Sequence, residues 1–295
     1  MTITASNLKV HVQKLAAEIG ERNVFRFPAL DEAADYIRNV WTEQGYEVVS
    51  QSYLAEGTPC ENLEVTRWGG SQRQQIVLVG AHYDSVSGSP GADDNASGVA
   101  ALLEISRCLA SVSNERTVRF VAFVNEEPPF FFWRQMGSMV YARAARKRGD
   151  DIRLMMSLEM LGYYDKRPNS QHYPPLFRFF YPDCADFIAF VSNLRSRGQL
   201  RRAVAAFRSH SDFPIEHVAA LSIVPGIGFS DHLSFWRQGY RALMVTDTAF
   251  YRYPYYHTPW DVPDKLDYEA FACVTEGLCE AIVALANDSV RAPSS

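Results

Sequence analysis

The sequence predicts an α/β fold with a largely parallel sheet covered on both faces. Three observations lead there. Stretches with the two-residue period of strands alternate with stretches in which apolar residues recur three and four apart, as on helices. One run, Ile76-Val77-Leu78-Val79, is continuously apolar, which marks a strand buried on both faces. No linker, repeat or low-complexity segment interrupts the 295 residues, so one domain over 1–295 is the simpler organisation.

Taken in order, residues 6–20 and 30–44 read as helices. Leu8, Val12, Leu15 and Ile19 share a face of the first, and Ala33, Ile37, Val40 and Trp41 a face of the second. This N-terminal pair, 6–45, is expected to pack on the domain. Gly45 stops the second helix, and 46–53 alternates like a strand. Strands follow at 63–67 and 75–81, then a broadly apolar helix at 95–110, a strand at 117–124, a helix at 137–148 and a strand at 154–161. A helix at 186–197, strands at 219–224 and 242–246, and a closing helix at 267–286 complete the series. The stretch 163–183 is rich in aromatics and proline, from Tyr163-Tyr164 to Tyr181-Pro182. It reads either as an insertion at the functional rim or as a hydrophobic surface hairpin.

Charge and composition exclude several classes. With 34 acidic against 29 basic residues and a formal charge of −5, no basic excess offers a nucleic-acid surface. The richest basic stretch, 143–148, reads as the end of a solvated helix. No apolar run approaches the roughly 18 residues of a membrane span. Residues 1–20 lack the apolar stretch of a secretory signal, which points to the cytoplasm; a secreted chain trimmed of its signal reads the same. The five cysteines are scattered and form no C-x-x-C pair, which suits reduced thiols. Imidazole and carboxylate remain as the metal ligands on offer.

Ligands of open α/β sheets bind outside the carboxyl ends of the strands, and unusual polar clusters fall at such places here. His82-Tyr83-Asp84 follows the strand at 75–81, and Asp84 is near enough in sequence to accept the second ring N–H of His82. Gly91-Ala92-Asp93-Asp94-Asn95-Ala96-Ser97-Gly98 precedes a helix; a cap needs one such acid, and the surplus beside a histidine favours a cation site. Asn125-Glu126-Glu127 ends the strand at 117–124, where adjacent glutamates repel unless solvated or bound to a cation. Glu159, inside an apolar strand, needs a partner: a cation site or an arginine such as Arg153. Ser230-Asp231-His232 and Tyr256-His257-Thr258 come later. His11, His172, His210 and His217 lie among polar residues and read as surface histidines.

This ordered set, from His82-Tyr83-Asp84 through Glu126-Glu127 and Glu159 to Tyr256-His257-Thr258, resembles the M28 family of zinc metallopeptidases over about residues 76–268. The resemblance implies a three-layer α/β/α sandwich around a mixed, mostly parallel sheet, and two Zn2+ ions, for which Co2+ or Mn2+ can substitute. Asp94 would bridge the ions, with His82 and Glu159 on one and Glu127 and His257 on the other. Asp84 would orient His82, and Glu126 would act as general base. The implied substrate is a peptide with a free N-terminus, its amine anchored by Glu126 and Glu159, with Tyr256 and Asp231 as further substrate contacts.

Three positions depart from the family pattern. Glu159 stands where many members have aspartate. Residues 128–133, Pro-Pro-Phe-Phe-Phe-Trp, replace a shorter turn and offer a pocket wall. Ile227 occupies the place of an oxyanion-stabilising tyrosine, leaving Tyr256 and the Tyr163-Tyr164 pair as substitutes. The same scaffold hosts carboxypeptidases, which would need an arginine such as Arg134, Arg178 or Arg252 to grip a carboxylate. It also hosts glutaminyl cyclases, which work with one zinc, and a decayed fold kept for binding is a further alternative. The aromatic segments suggest an apolar or aromatic N-terminal residue.

Overall fold

The computed structural model describes residues 2–287; residues 1 and 288–295 of the expected domain lie outside the described residues. The strands are β1 (Val49–Ala55), β2 (Thr58–Arg67), β3 (Gln72–His82), β4 (Arg116–Phe123), β5 (Asp151–Glu159), β6 (Ile188–Asn193), β7 (Ile215–Ala220) and β8 (Ala242–Thr246). They form one sheet in the order β1-β2-β4-β3-β5-β8-β6-β7. Pairing is parallel at β3–β4, β3–β5, β5–β8 and β6–β7, and antiparallel at β1–β2, β2–β4 and β6–β8. The sheet is therefore mixed and mostly parallel, with the antiparallel pairs towards its edges.

Helices cover both faces. α1 (Ala5–Val12, continuing as a wider coil over Gln13–Ile19), α2 (Phe27–Glu43), α3 (Gly98–Leu109), α5 (Arg197–Arg208) and α7 (Tyr268–Asn287) share one apolar cluster. α4 (Gly137–Arg148) and α6 (His232–Arg237) share a second on the opposite face. β3 shows why its sequence had to be apolar throughout: Val79 and Ala81 enter the first cluster, Ile76 and Leu78 the second. Each such fully buried Val, Leu or Ile contributes about 1.5–3 kcal/mol. At Gly80 a Cβ would meet the Phe123 ring at 2.3 Å, so even alanine would require that buried ring to move. No helix among the described residues is long and apolar enough to cross a membrane.

Three expectations are corrected. Residues 186–197 are not a helix: Ile188–Asn193 is strand β6, and the helix is α5, starting at Arg197. The run Ile188-Ala189-Phe190-Val191 is buried on both faces of the sheet, and continuous apolarity does not separate such a strand from a buried helix. Asn193 then caps the turn, its Oδ1 accepting from Ser196 N at 2.8 Å. The strand expected at 219–224 is β7, four residues earlier, and Ile223 beyond it is exposed. His11 is buried rather than superficial. Its Nδ1 lies 2.6 Å from Tyr36 Oη and its Nε2 3.7 Å from Glu104, polar partners that α2 and α3 bring to α1. His172 and His210 are exposed and His217 is half-buried.

Candidate metal centre

Parallel strands end together, and that shared edge assembles the site. His82 and Glu159 are the last residues of the neighbouring strands β3 and β5. Glu126 and Glu127 lie just past β4. Asp94 comes from the loop before α3, where 92–97 wind irregularly and α3 starts only at Gly98. His257 follows β8 in the tyrosine-rich loop. The backbone turns sharply beside these residues: Asn125, Met160 and His257 have φ of 60°, 48° and 58°, a region that non-glycine residues seldom adopt.

The side chains converge as two triads sharing Asp94. In one, His82 Nε2 lies 3.3 Å from Asp94 Oδ1 and 3.4 Å from Glu159 Oε2. In the other, His257 Nε2 lies 3.1 Å from Asp94 Oδ2 and 3.3 Å from Glu127 Oε1. His82 Nε2, His257 Nε2 and Glu127 Oε1 are nevertheless buried without a hydrogen-bond partner. Zinc with bonds of about 2.0 Å in a tetrahedral shell places its ligand atoms about 3.3 Å apart, so the spacings and orphaned atoms fit a zinc-sized cation in each triad. Glu126 stands outside both, with Oε2 4.0 Å from His82 Nε2.

Electrostatics point the same way. Burial pushes Glu126 well above the carboxylate range, against the pull of His82 and with Glu159 and Glu127 adding to the rise. Burial likewise lifts Glu127 to about 8 and raises Glu159. In Asp94 burial is outweighed by attraction to His257 and His82, which holds that carboxyl down. Burial lowers His257, but Asp94 and Glu127 prevail and raise it to about 10. So many acids with so few cations make a pocket of unmet negative charge.

A ring of supporting contacts fixes the ligands. His82 Nδ1 donates to the Asp84 carbonyl at 3.2 Å, which leaves the Nε2 lone pair facing the triad. Asp84 does more than sit near His82: its Oδ1 and Oδ2 accept the Glu126 and Glu127 N–H groups, each at 3.1 Å. Ser230 donates to Glu159 Oε2 at 2.7 Å. Arg153 is not Glu159's partner; it lies 3.5 Å from Asp151 at the far end of β5. Asp231, expected as a substrate contact, is wholly buried, and both its carboxylate oxygens are without a hydrogen-bond partner.

Sequence reading missed several participants. Asp261 accepts the Asp93 and Asp94 N–H groups at 2.8 and 3.2 Å and the Tyr253 hydroxyl at 2.8 Å. Arg22, fully buried, donates to the carbonyls of Tyr83, Pro90 and Gly91 and so ties together the loops that carry His82 and Asp94. Asp93 accepts the Gly162 N–H at 2.9 Å, bracing the turn after Glu159 rather than joining a triad. A lone arginine in the link after the first helix and a lone aspartate after Trp260 carry no spacing signal. An unusually buried arginine is visible only once the loops are placed.

Beside the triads opens a pocket that begins at Glu159. Its rim is a chain of rings: Phe131 lies 5.9 Å from Phe229, Phe229 6.2 Å from Phe250 and Phe250 5.7 Å from Tyr256, which stacks on His257 at 3.8 Å. Segment 128–133 reaches the rim through Phe131. From 163–183, Tyr173, Phe177 and Tyr181 line the pocket. Ile227 lines it too, as does Tyr256; Tyr164 is engaged elsewhere, donating to the Leu161 carbonyl at 2.9 Å.

A sequence model described as Peptidase family M28 matches residues 64–282. The chain is 40% identical to the Uncharacterized protein YfbL of Escherichia coli over 280 residues, 92% of this chain and 85% of that one. Among solved structures it resembles a zinc aminopeptidase from Bacillus subtilis, with a TM-score of 0.76 at 16% identity, covering 99% of this chain and 97% of that one. A glutaminyl cyclase from Fimbriiglobus ruber also shares the fold, with a TM-score of 0.71 at 18% identity over 96% and 95% of the two chains.

Proposed function

This chain belongs to peptidase family M28, and we propose that it is a two-zinc aminopeptidase. One ion would be held by His82, Asp94 and Glu159, the other by Glu127, Asp94 and His257. The observation that carries this reading is the pair of triads meeting at Asp94, one carboxylate oxygen towards each histidine. Zinc there would supply Lewis acidity, lowering the pKa of water towards about 7 and polarising the scissile carbonyl.

The chain's own residues do the rest. Glu126, buried and outside both triads, accepts the proton from the attacking water and returns it to the departing amine nitrogen, so that water and peptide become a carboxylic acid and a free amine. Its burial raises its proton affinity, which suits a group that must hold a proton between the two events. Asp84 keeps Glu126 in place through the backbone N–H. The Glu126 and Glu159 carboxylates are the anchor for the substrate's ammonium, which restricts cleavage to a free N-terminus. The Tyr256 hydroxyl is the donor available for the oxyanion.

A carboxypeptidase finds less support. Arg252 is committed to Gln171 Oε1 at 2.8 Å and the Phe187 carbonyl at 2.9 Å, while Arg178 lies over the Phe179 ring. Neither these two nor Arg134 lines the pocket. A one-zinc cyclase would have no use for the second triad. The test is a pair of substrates, leucine p-nitroanilide and its N-acetyl form: cleavage of the free amine alone is expected, and equal cleavage of both would refute the proposal.

A further inference from the structure

The pocket beginning at Glu159 ends at an acid that nothing in the catalytic reading uses. Strand register places Glu159 beside Thr246, Thr246 beside Ala189, and Ala189 beside Glu216. Directly paired residues on neighbouring strands point to the same face, and all four line this pocket. Its floor is therefore a row across β5, β8, β6 and β7, with small residues in the middle and a carboxylate at each end. Strand spacing of about 4.8 Å sets the two ends about 14 Å apart.

Glu216 is half-buried and, among the described residues, its side chain has neither a hydrogen bond nor an ion pair. Arg208 acts on its charge through space without forming an ion pair, and the polar groups nearby bond elsewhere. Arg208 Nη2 donates to the Ile215 carbonyl at 3.4 Å, Tyr173 Oη to the Pro182 carbonyl at 2.5 Å and Tyr181 Oη to the His217 carbonyl at 3.1 Å. Arg208 offsets part of the cost of burying this carboxylate, but no donor touches it, so a cation from outside that bonds to it directly still gains. The rings beside it suit one. Tyr173 and Tyr181 stack at 5.7 Å and Phe177 and Tyr181 at 6.0 Å, presenting π-faces against which a guanidinium can lie.

We propose that Glu216 makes this pocket selective for peptides that begin with arginine or lysine, its carboxylate receiving the cationic tip while Glu159 holds the amine. The inference rests on the aminopeptidase reading. Lengths agree with it: an extended arginine spans roughly 8 Å from its α-nitrogen to a guanidinium nitrogen by standard bond lengths. A hydrogen bond of about 3 Å at each end brings the total close to the separation of the two acids. The methylene stem lies against Ala189, Met244 and Phe250. A leucine fills only the near half.

The test compares zinc-loaded wild type with Glu216→Gln on the p-nitroanilides of arginine, its uncharged analogue citrulline, and leucine. In parallel, calorimetry compares the binding of L-argininamide and L-citrullinamide. Wild type is expected to favour arginine over citrulline by at least about tenfold in kcat/KM and in affinity, as for a charge-assisted hydrogen bond. That ratio should fall to within about twofold in Glu216→Gln, and in Glu216→Ala should the first variant misfold. Leucine cleavage with no preference for arginine over citrulline overturns this inference and leaves the peptidase reading standing. Glu216-dependent binding of argininamide without cleavage of any substrate does the reverse. Equal binding of the two amides without cleavage overturns both.

Discussion

At the β3–β5 end of the sheet the functional groups are carboxylates and imidazoles buried among one another, each held by a second contact. At the β6–β7 end they are aromatic rings and small residues around one unpaired acid. The first region leaves no freedom to its side chains: Asp84 grips two backbone N–H groups, Ser230 grips Glu159, and Arg22 ties the loops. The second has little polar bonding across its cavity and is shaped by packing. Chemistry that depends on placing charges within a few tenths of an ångström needs the first kind of construction. Choosing among side chains needs only the second, because shape and a single charge suffice.

Variants can break this contrast. The largest effect is expected from Glu126→Gln in the rigid region. Loss of the proton carrier should lower kcat by about 10²–10⁴-fold, with zinc content unchanged by atomic absorption. Full activity in Glu126→Gln would remove the proposed base. Next is Asp84→Asn, which sets an amide donor against the Glu126 or Glu127 N–H. A fall in zinc affinity of about 10–100-fold is expected in a competition assay with a chelator. Unaltered affinity would mean that Asp84 does not position the ligands.

A third effect, on stability rather than on activity or metal affinity, concerns His232 on α6, whose Nε2 donates at 2.8 Å to the carbonyl of Ile227, a residue lining the pocket. Burial lowers the His232 pKa from 6.5 to about 4, so the fold favours its neutral form. Its stabilising contribution is full above pH 6.5 and is lost as pH falls through about 4. The size is about 3 kcal/mol. Urea unfolding of wild type and His232→Gln across that range should show the wild type losing more stability on acidification. Parallel curves would assign the acid sensitivity elsewhere.

The same contrast explains what could be read from the chain. Of the five proposed ligands, His82, Glu127 and Glu159 stand out because acids and histidines at the ends of apolar strands are costly and therefore conspicuous, Asp94 by the surplus of acid in its turn, and His257 through the family resemblance. Strands β3, β4, β5 and β8 and helix α4 were legible through their apolar patterns. Around β6 the pattern failed, since an apolar run buried on both faces has no period. That error hid α5, although Leu200, Ala203, Val204 and Phe207 keep helical spacing. Glu216 was invisible for a related reason: its meaning lies in a row across four strands, and no local spacing encodes which strands become neighbours.

The central claim is that Asp94 joins two metal sites into one centre. Titration of the metal-free protein with zinc, followed by calorimetry and by leucine p-nitroanilide hydrolysis, tests it most directly. The account predicts two ions per chain for the wild type, activity appearing only with zinc, and loss of both ions in Asp94→Ala. Activity without metal, or an Asp94→Ala protein that still binds two ions, would contradict it.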